Sequence, residues 1–187
     1  MRLENDLMVK RWEVFESKTK PGTFPPVLSA YMPTKNDVPT IGWGHTKRVK
    51  MNQTITEAQA EAFFWEDVDW AEATVNKAVK VPVTQQQFDA MVSLAFNIGA
   101  KGFSTSSVVR RVNEGDIEGA ARAFLLWNKQ TNRRTGKKEV LPGLFRRRKH
   151  EADYFLSESV APKKEEIGFF ASFLKKLLVR IERKDNG

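Results

Sequence analysis

The stretch Pro39-Thr40-Ile41-Gly42-Trp43-Gly44-His45-Thr46 decides how this chain is read. Thr40 and Ile41 are β-branched and favour extended backbone. The glycines flanking Trp43 let the chain turn sharply, or approach another group with no Cβ in the way. The segment predicts a short strand entering a tight hairpin that displays Thr40, Trp43 and His45 toward one cleft. Taken alone, a purely structural hairpin explains the glycines as well.

Upstream, Leu7, Met8, Trp12 and Phe15 recur at helical spacing and predict an amphipathic helix over residues 4–17. Pro21, Gly22, Pro25 and Pro26 end it in an irregular loop. Leu28-Ser29-Ala30-Tyr31 reads as one strand and Thr40-Ile41-Gly42-Trp43 as another. Everything downstream reads as helical. Thr56 with Gln59 resembles a capping box opening a helix to about Ala78. A second helix starts at Thr84-Gln85-Gln86-Gln87 and stops at Gly99. Ser104 or Thr105 is the expected cap of a third, stopped at Asn113-Glu114-Gly115. Asp116 starts a fourth that runs through Phe124 to Trp127, and Gly143 to Leu156 is the last of this body. The pattern is α+β: a small N-terminal hairpin region and a mainly helical lobe over residues 1–156.

Residues 157–166 have linker composition. Beyond them Ile167, Phe170, Leu174, Leu177, Leu178 and Ile181 share one helical face, with Lys176, Arg180 and Arg183 opposite. Residues 167–187 thus read as a cationic amphipathic helix suited to an anionic membrane. The other reading is a helix that docks back on its own domain.

With 187 residues the chain suits one ordinary domain and a short appendage. Lys and Arg total 31 against 23 acids, a formal charge of +8, which favours a negatively charged partner such as nucleic acid, anionic lipid or acidic wall polymer. The chain has no cysteine, so disulfides, thiolate metal sites and Cys nucleophiles are excluded. His45 and His150 are its two histidines, too few for a multi-histidine centre, and no metal or other cofactor is expected. The start Met1-Arg2-Leu3-Glu4-Asn5-Asp6 is acidic where a signal peptide is basic. The expectation is a protein made soluble in a cytoplasm, with any export depending on help from elsewhere.

Two carboxylates suffice for glycosidic cleavage, one protonating the leaving oxygen and the other assisting water or the ring cation. An acid useful near neutral pH needs its pKa raised by apolar surroundings. Glu13 fits, following Trp12 on the apolar-periodic helix; Glu16 competes, and a plain surface glutamate is the bland alternative. Asp37 lies between the two strands, three residues before Thr40, where a turn-forming aspartate is equally natural.

Together these stretches resemble the phage-type lysozymes of the T4 and P22 kind, glycoside hydrolase family 24. The resemblance runs through Met8-Val9-Lys10-Arg11-Trp12-Glu13, Ala30-Tyr31, Asp37 and Thr40 to Thr46. It continues in Val83-Thr84-Gln85 through Asn97-Ile98-Gly99, Val112-Asn113-Glu114-Gly115-Asp116, Phe124-Leu125-Leu126-Trp127 and Leu141-Pro142-Gly143-Leu144-Phe145-Arg146-Arg147-Arg148. It covers about residues 7–156. The family implies Glu13 as general acid, Asp37 as partner carboxylate and Thr40 as the residue positioning the attacking water. The implied reaction is inverting hydrolysis of the β-1,4 bond between N-acetylmuramic acid and N-acetylglucosamine. Tyr31, Trp43, His45, Asn97 and Trp127 are the expected substrate contacts. The chain departs from the family where Val14 replaces the Gly after the acid. Pro33 and Thr34 occupy the usual places of the Asp, which leaves Asp37 as the carboxylate of that loop.

His45 reads more naturally as a hydrogen-bonded hairpin residue than as a base, and Trp127 as core or a sugar platform. Arg146, Arg147 and Arg148 spread around a helix too widely for a nucleic-acid stripe. One or two of them read as charge partners near the cleft. The expected partners are peptidoglycan and anionic lipid, not nucleic acid, and the chain is expected to be a monomer. Two competing functions remain: a membrane-active antimicrobial on a degenerate lysozyme scaffold, and a lytic transglycosylase.

Overall fold

The hairpin forms where its glycines demand it. In the computed structural model, which describes residues 1–13, 23–32, 38–131 and 136–157, β1 (Val27–Tyr31) pairs antiparallel with β2 (Thr40–Gly42). Tyr31 stands opposite Thr40 and Val27 opposite Gly42. Past β2 the turn closes on itself, with Ile41 and His45 exchanging backbone hydrogen bonds of 2.9 Å. Gly42 (φ 64°) and Gly44 (φ 85°) sit in the left-handed region that side chains disfavour.

Helix α1 (Leu7–Glu13) begins three residues later than expected, and residues 14–17 of the predicted helix lie outside the described residues. Its buried Lys10 fastens it: Nζ bonds Asp6 at 2.8 Å and both oxygens of Glu61 at 2.9 Å, and lies 4.3 Å above the Trp43 ring. Helix α2 (Glu57–Ala78) carries Glu61 and starts at the full capping box of Thr56 and Gln59.

Helix α3 (Gln85–Ser104) is the axis of the lobe. Phe88 to Ala95 is buried without interruption, as befits a helix packed on several sides by α1, α2 and α6 (Pro142–Leu156). Gly99 does break it, at φ 81° and ψ 160°, but the chain re-enters helix and runs to Ser104. That extra turn moves the next cap. Ser106, rather than Ser104 or Thr105, caps α4 (Ser107–Asn113) by accepting the Val109 N–H.

Asp116 caps α5 (Ile117–Phe124) as expected. The helix stops short of Trp127 because the N–H groups of Leu125, Leu126 and Trp127 each bond three residues back, tightening the exit. The wholly helical reading also fails here: β3 (Lys129–Thr131) and β4 (Lys138–Val140) form a second antiparallel pair. Both strands are fully exposed, so neither carries the apolar alternation by which a strand is recognised. Pro142 opens α6 in the first helical position, where its missing N–H is not needed.

Met1–Ser157 forms one unit. Among the described residues no helix is long and apolar enough to cross a membrane. The amphipathic segment 167–187, and the linker beyond Ser157, lie outside the described residues.

Candidate active site

Glu13, the last residue of α1, arrives at a cavity of about 690 Å³ whose walls also include Arg11, Trp12, Phe24, Asn97, Arg146 and Arg147. Residues 141–144 at the start of α6 also line it. Glu13 Oε1 accepts from Arg147 Nη1 at 2.8 Å. Its other oxygen faces the hairpin, so a Cβ built on Gly44 would stand 3.1 Å from Glu13 Oε2. The acid is thus held between the helical lobe and the turn of the opening motif.

Arg147 is 3% exposed and works on three partners. Besides Glu13, its Nε bonds Glu151 at 3.0 Å and its Nη2 the Ser93 carbonyl at 3.2 Å. Burial disfavours its charge, but the carboxylates of Glu13 and Glu151 outweigh that and raise it above its ordinary value. Glu13 is therefore sheltered beside a guanidinium and not, as expected, by apolar surroundings alone. Tyr31 registers the same carboxylate: burial, then the charge of Glu13, raise its phenol.

Thr40 is buried in β2 and donates its hydroxyl to the Val38 carbonyl at 3.0 Å, leaving its oxygen free to accept. Asn97 is exposed on the cavity wall. Asp37, Glu16 and Val14 lie outside the described residues, as do Pro33 and Thr34.

The hairpin does not display Trp43 and His45 toward the cleft. Trp43 is 7% exposed, packs edge-on against Phe64 and donates Nε1–H to the Phe24 carbonyl at 2.7 Å. His45 is stacked on Phe63, with Nδ1 2.8 Å from Asp67 Oδ2 and Nε2 3.1 Å from the Lys47 carbonyl. An indole and an imidazole surrounded by rings and acceptors bury themselves, and both side chains brace the turn from beneath. Trp127 is half-buried, its ring 3.4 Å from a Cβ built on Gly102, and it is not part of the lining of the Glu13 cavity.

Arg11 and Phe24 had no signal of their own, Trp12 read as part of the apolar stripe of α1 and Arg146 as one of three candidate charge partners; the tertiary fold gathers them. Arg147 with Glu151 was detectable, since they stand one helical turn apart.

The brace suggests a direct test of the geometry. Gly44→Ala puts a Cβ into a left-handed residue, at roughly 1–2 kcal/mol, and against a carboxylate that Arg147 prevents from retreating. Turnover is expected to fall about 10- to 100-fold, since an ångström of displacement at a reacting group is that costly. Comparison of kcat and melting temperature with the parent checks it; unchanged kcat would free Glu13 from the turn.

A two-stranded hairpin and a helical lobe meeting at one sheltered glutamate define a lysozyme-like fold. A profile of the phage lysozyme family matches residues 26–151. The endolysin of Acyrthosiphon pisum secondary endosymbiont phage 1 is 44% identical over 118 residues, covering 63% of this chain and 80% of the relative. Among solved structures, an endolysin from Escherichia coli O157:H7 phage FAHEc1 superposes with a TM-score of 0.72 at 40% identity, covering 87% of this chain and 98% of the other. The muramidase domain of SpmX from Asticaccaulis excentricus gives 0.70 at 33% identity, covering 83% and 97%. This chain belongs to the phage lysozyme family, whose members are lysozyme-type hydrolases.

Proposed function

We propose that the chain is an endolysin that hydrolyses the β-1,4 bond between N-acetylmuramic acid and N-acetylglucosamine of peptidoglycan, with inversion at the anomeric carbon. The observation that carries this reading is the carboxyl of Glu13, held at a cavity wall by Arg147 on one side and Gly44 on the other. Glu13 donates its proton to the leaving oxygen as general acid. Inversion requires a water on the far face of the sugar, which separates the two carboxyls by about 6.5–9.5 Å. Thr40, whose proton is committed to Val38, accepts a hydrogen bond from that water. Asp37, three residues before Thr40 in the sequence, takes the second proton as general base. Tyr31 and Asn97 flank the glycan, with Trp127 as an outlying contact, while Trp43 and His45 keep the turn in place.

The chain acts as a monomer on the wall after a separate holin-type protein releases it from the host cytoplasm. Residues 1–156 carry the chemistry, 157–166 link, and 167–187 hold the enzyme on anionic lipid. Two structural relatives, an endolysin and a muramidase domain, support the substrate class.

Products released from purified peptidoglycan test the reaction. Hydrolysis gives muropeptides with a free reducing end, the α anomer forming first by NMR; anhydro sugars would indicate a transglycosylase. On intact Gram-negative cells, removal of residues 158–187 should weaken lysis without slowing digestion of the purified wall.

A further inference from the structure

The buried charges of α6 extend one layer beyond the pair that contains Glu13. Glu151 is fully buried, and its Oε1 accepts from three donors: Ser93 Oγ at 2.6 Å, Arg148 Nη2 at 2.8 Å and Arg147 Nε at 3.0 Å. A guanidinium is planar, with its N–H groups in a fixed fork. Once Glu151 holds Nε of Arg147 and the Ser93 carbonyl holds Nη2, Nη1 has one direction left, and Glu13 lies along it at 2.8 Å. Charge alternates along the same path: Glu13, Arg147, Glu151, Arg148, two of each sign. Arg148 is wholly buried, and burial, reinforced by its neighbour Arg147 and opposed by Glu151, brings it down to about 10.

We propose that Glu151 is a positioning residue for the cleavage reaction: it aims Arg147 at Glu13 and cancels the second guanidinium, so that the acid meets one balanced cation rather than two. This rests on Glu13 being the acid. Among the described residues, the other groups facing Glu13 are uncharged Tyr31 from β1, Asn97 from α3 and the turn at Gly44, with Arg11 and Arg146 on the same cavity wall. Glu151 itself is faced by Ser93, Arg147 and Arg148, and its charge also reaches His150. Neutralising Glu151 changes none of these partners. It leaves two buried guanidinium groups balanced by Glu13 alone, which favours the carboxylate over the acid. The alkaline limb of the rate profile, where the general acid loses its proton, then moves to lower pH.

The experiment measures kcat, KM and the pH dependence of kcat/KM on purified peptidoglycan for the full chain, Glu151→Gln, Ser93→Ala and Glu151→Gln with Arg148→Met. Glu151→Gln is expected to lower kcat about 10- to 100-fold with KM within about twofold, and to shift the alkaline limb downward. Ser93→Ala, which removes one donor and no charge, lowers kcat several-fold. Arg148→Met in the Glu151→Gln background removes the surplus cation and returns the limb toward its original position. A folded Glu151→Gln with the parent kcat and pH profile overturns the proposal. If that variant does not fold, parent values in Ser93→Ala overturn it. Should Glu13→Gln remain active, the assignment of the acid has failed; should it be inactive while Glu151→Gln or Ser93→Ala behaves as the parent, the positioning role alone has.

Discussion

Glu13→Gln is expected to reduce cleavage of purified peptidoglycan by about 10²–10⁴-fold, the span that general acid catalysis contributes. Glutamine matches glutamate in shape and still accepts a hydrogen bond from Arg147, but it has no proton to give the leaving oxygen. The fold should survive. Arg147 keeps Glu151 and the Ser93 carbonyl, so what is lost is the charged part of one hydrogen bond. A charge-assisted bond is worth about 1.5–3 kcal/mol, and retention of a neutral one leaves the loss near the lower end. For a domain of this size that is a fall of roughly 3–6 °C in melting temperature. Reducing-end release and calorimetry read the two quantities separately. Near-parental activity would remove residue 13 from the chemistry.

Arg147→Met should be the more damaging change to the fold. Its side chain is 4% exposed and joins Glu13, on α1, to Ser93 and Glu151 in the lobe. Methionine fills much of the volume but leaves Glu13 without its bonded guanidinium and Glu151 with Arg148 and Ser93. Removing one member of a buried pair typically costs about 3–5 kcal/mol, which predicts a fall of roughly 6–20 °C in melting temperature. Activity falls as well, about 10²-fold, because the carboxyl is no longer held against the turn. Arg147→Lys should not rescue it, since one ammonium cannot reach three acceptors set in a plane. A melting temperature within a degree of the parent would contradict the structural half of this prediction.

What could be read from the sequence follows from how local the causes are. The hairpin was legible because Gly42 and Gly44 require their conformation whatever surrounds them. So was the start of α2, because Thr56 and Gln59 satisfy each other's backbone. The β3–β4 pair was not, since its strands bury nothing and leave no pattern. The cap at Ser106 was displaced by a turn of helix beyond Gly99 that no single residue announces. The site divides the same way. Glu13 and Thr40 belong to recognisable local motifs. The inward packing of Trp43 and His45 depends on Phe64, Phe63 and Asp67, all from α2, and only the tertiary fold supplies them. One or two of Arg146, Arg147 and Arg148 were read as charge partners near the cleft, but which of them, and the three-way grip of Arg147, is set by α1 and α3 as much as by α6.

The most direct test of the Glu13–Arg147 unit is a double-mutant cycle in kcat/KM on purified peptidoglycan, using the parent, Glu13→Gln, Arg147→Met and the two combined. If Arg147 serves catalysis by holding Glu13, the combined variant retains the activity of Glu13→Gln within about twofold, because nothing remains for Arg147 to hold. If Arg147→Met costs as much in the Glu13→Gln background as in the parent, the two residues act independently, and the site is not built around a glutamate held by that arginine.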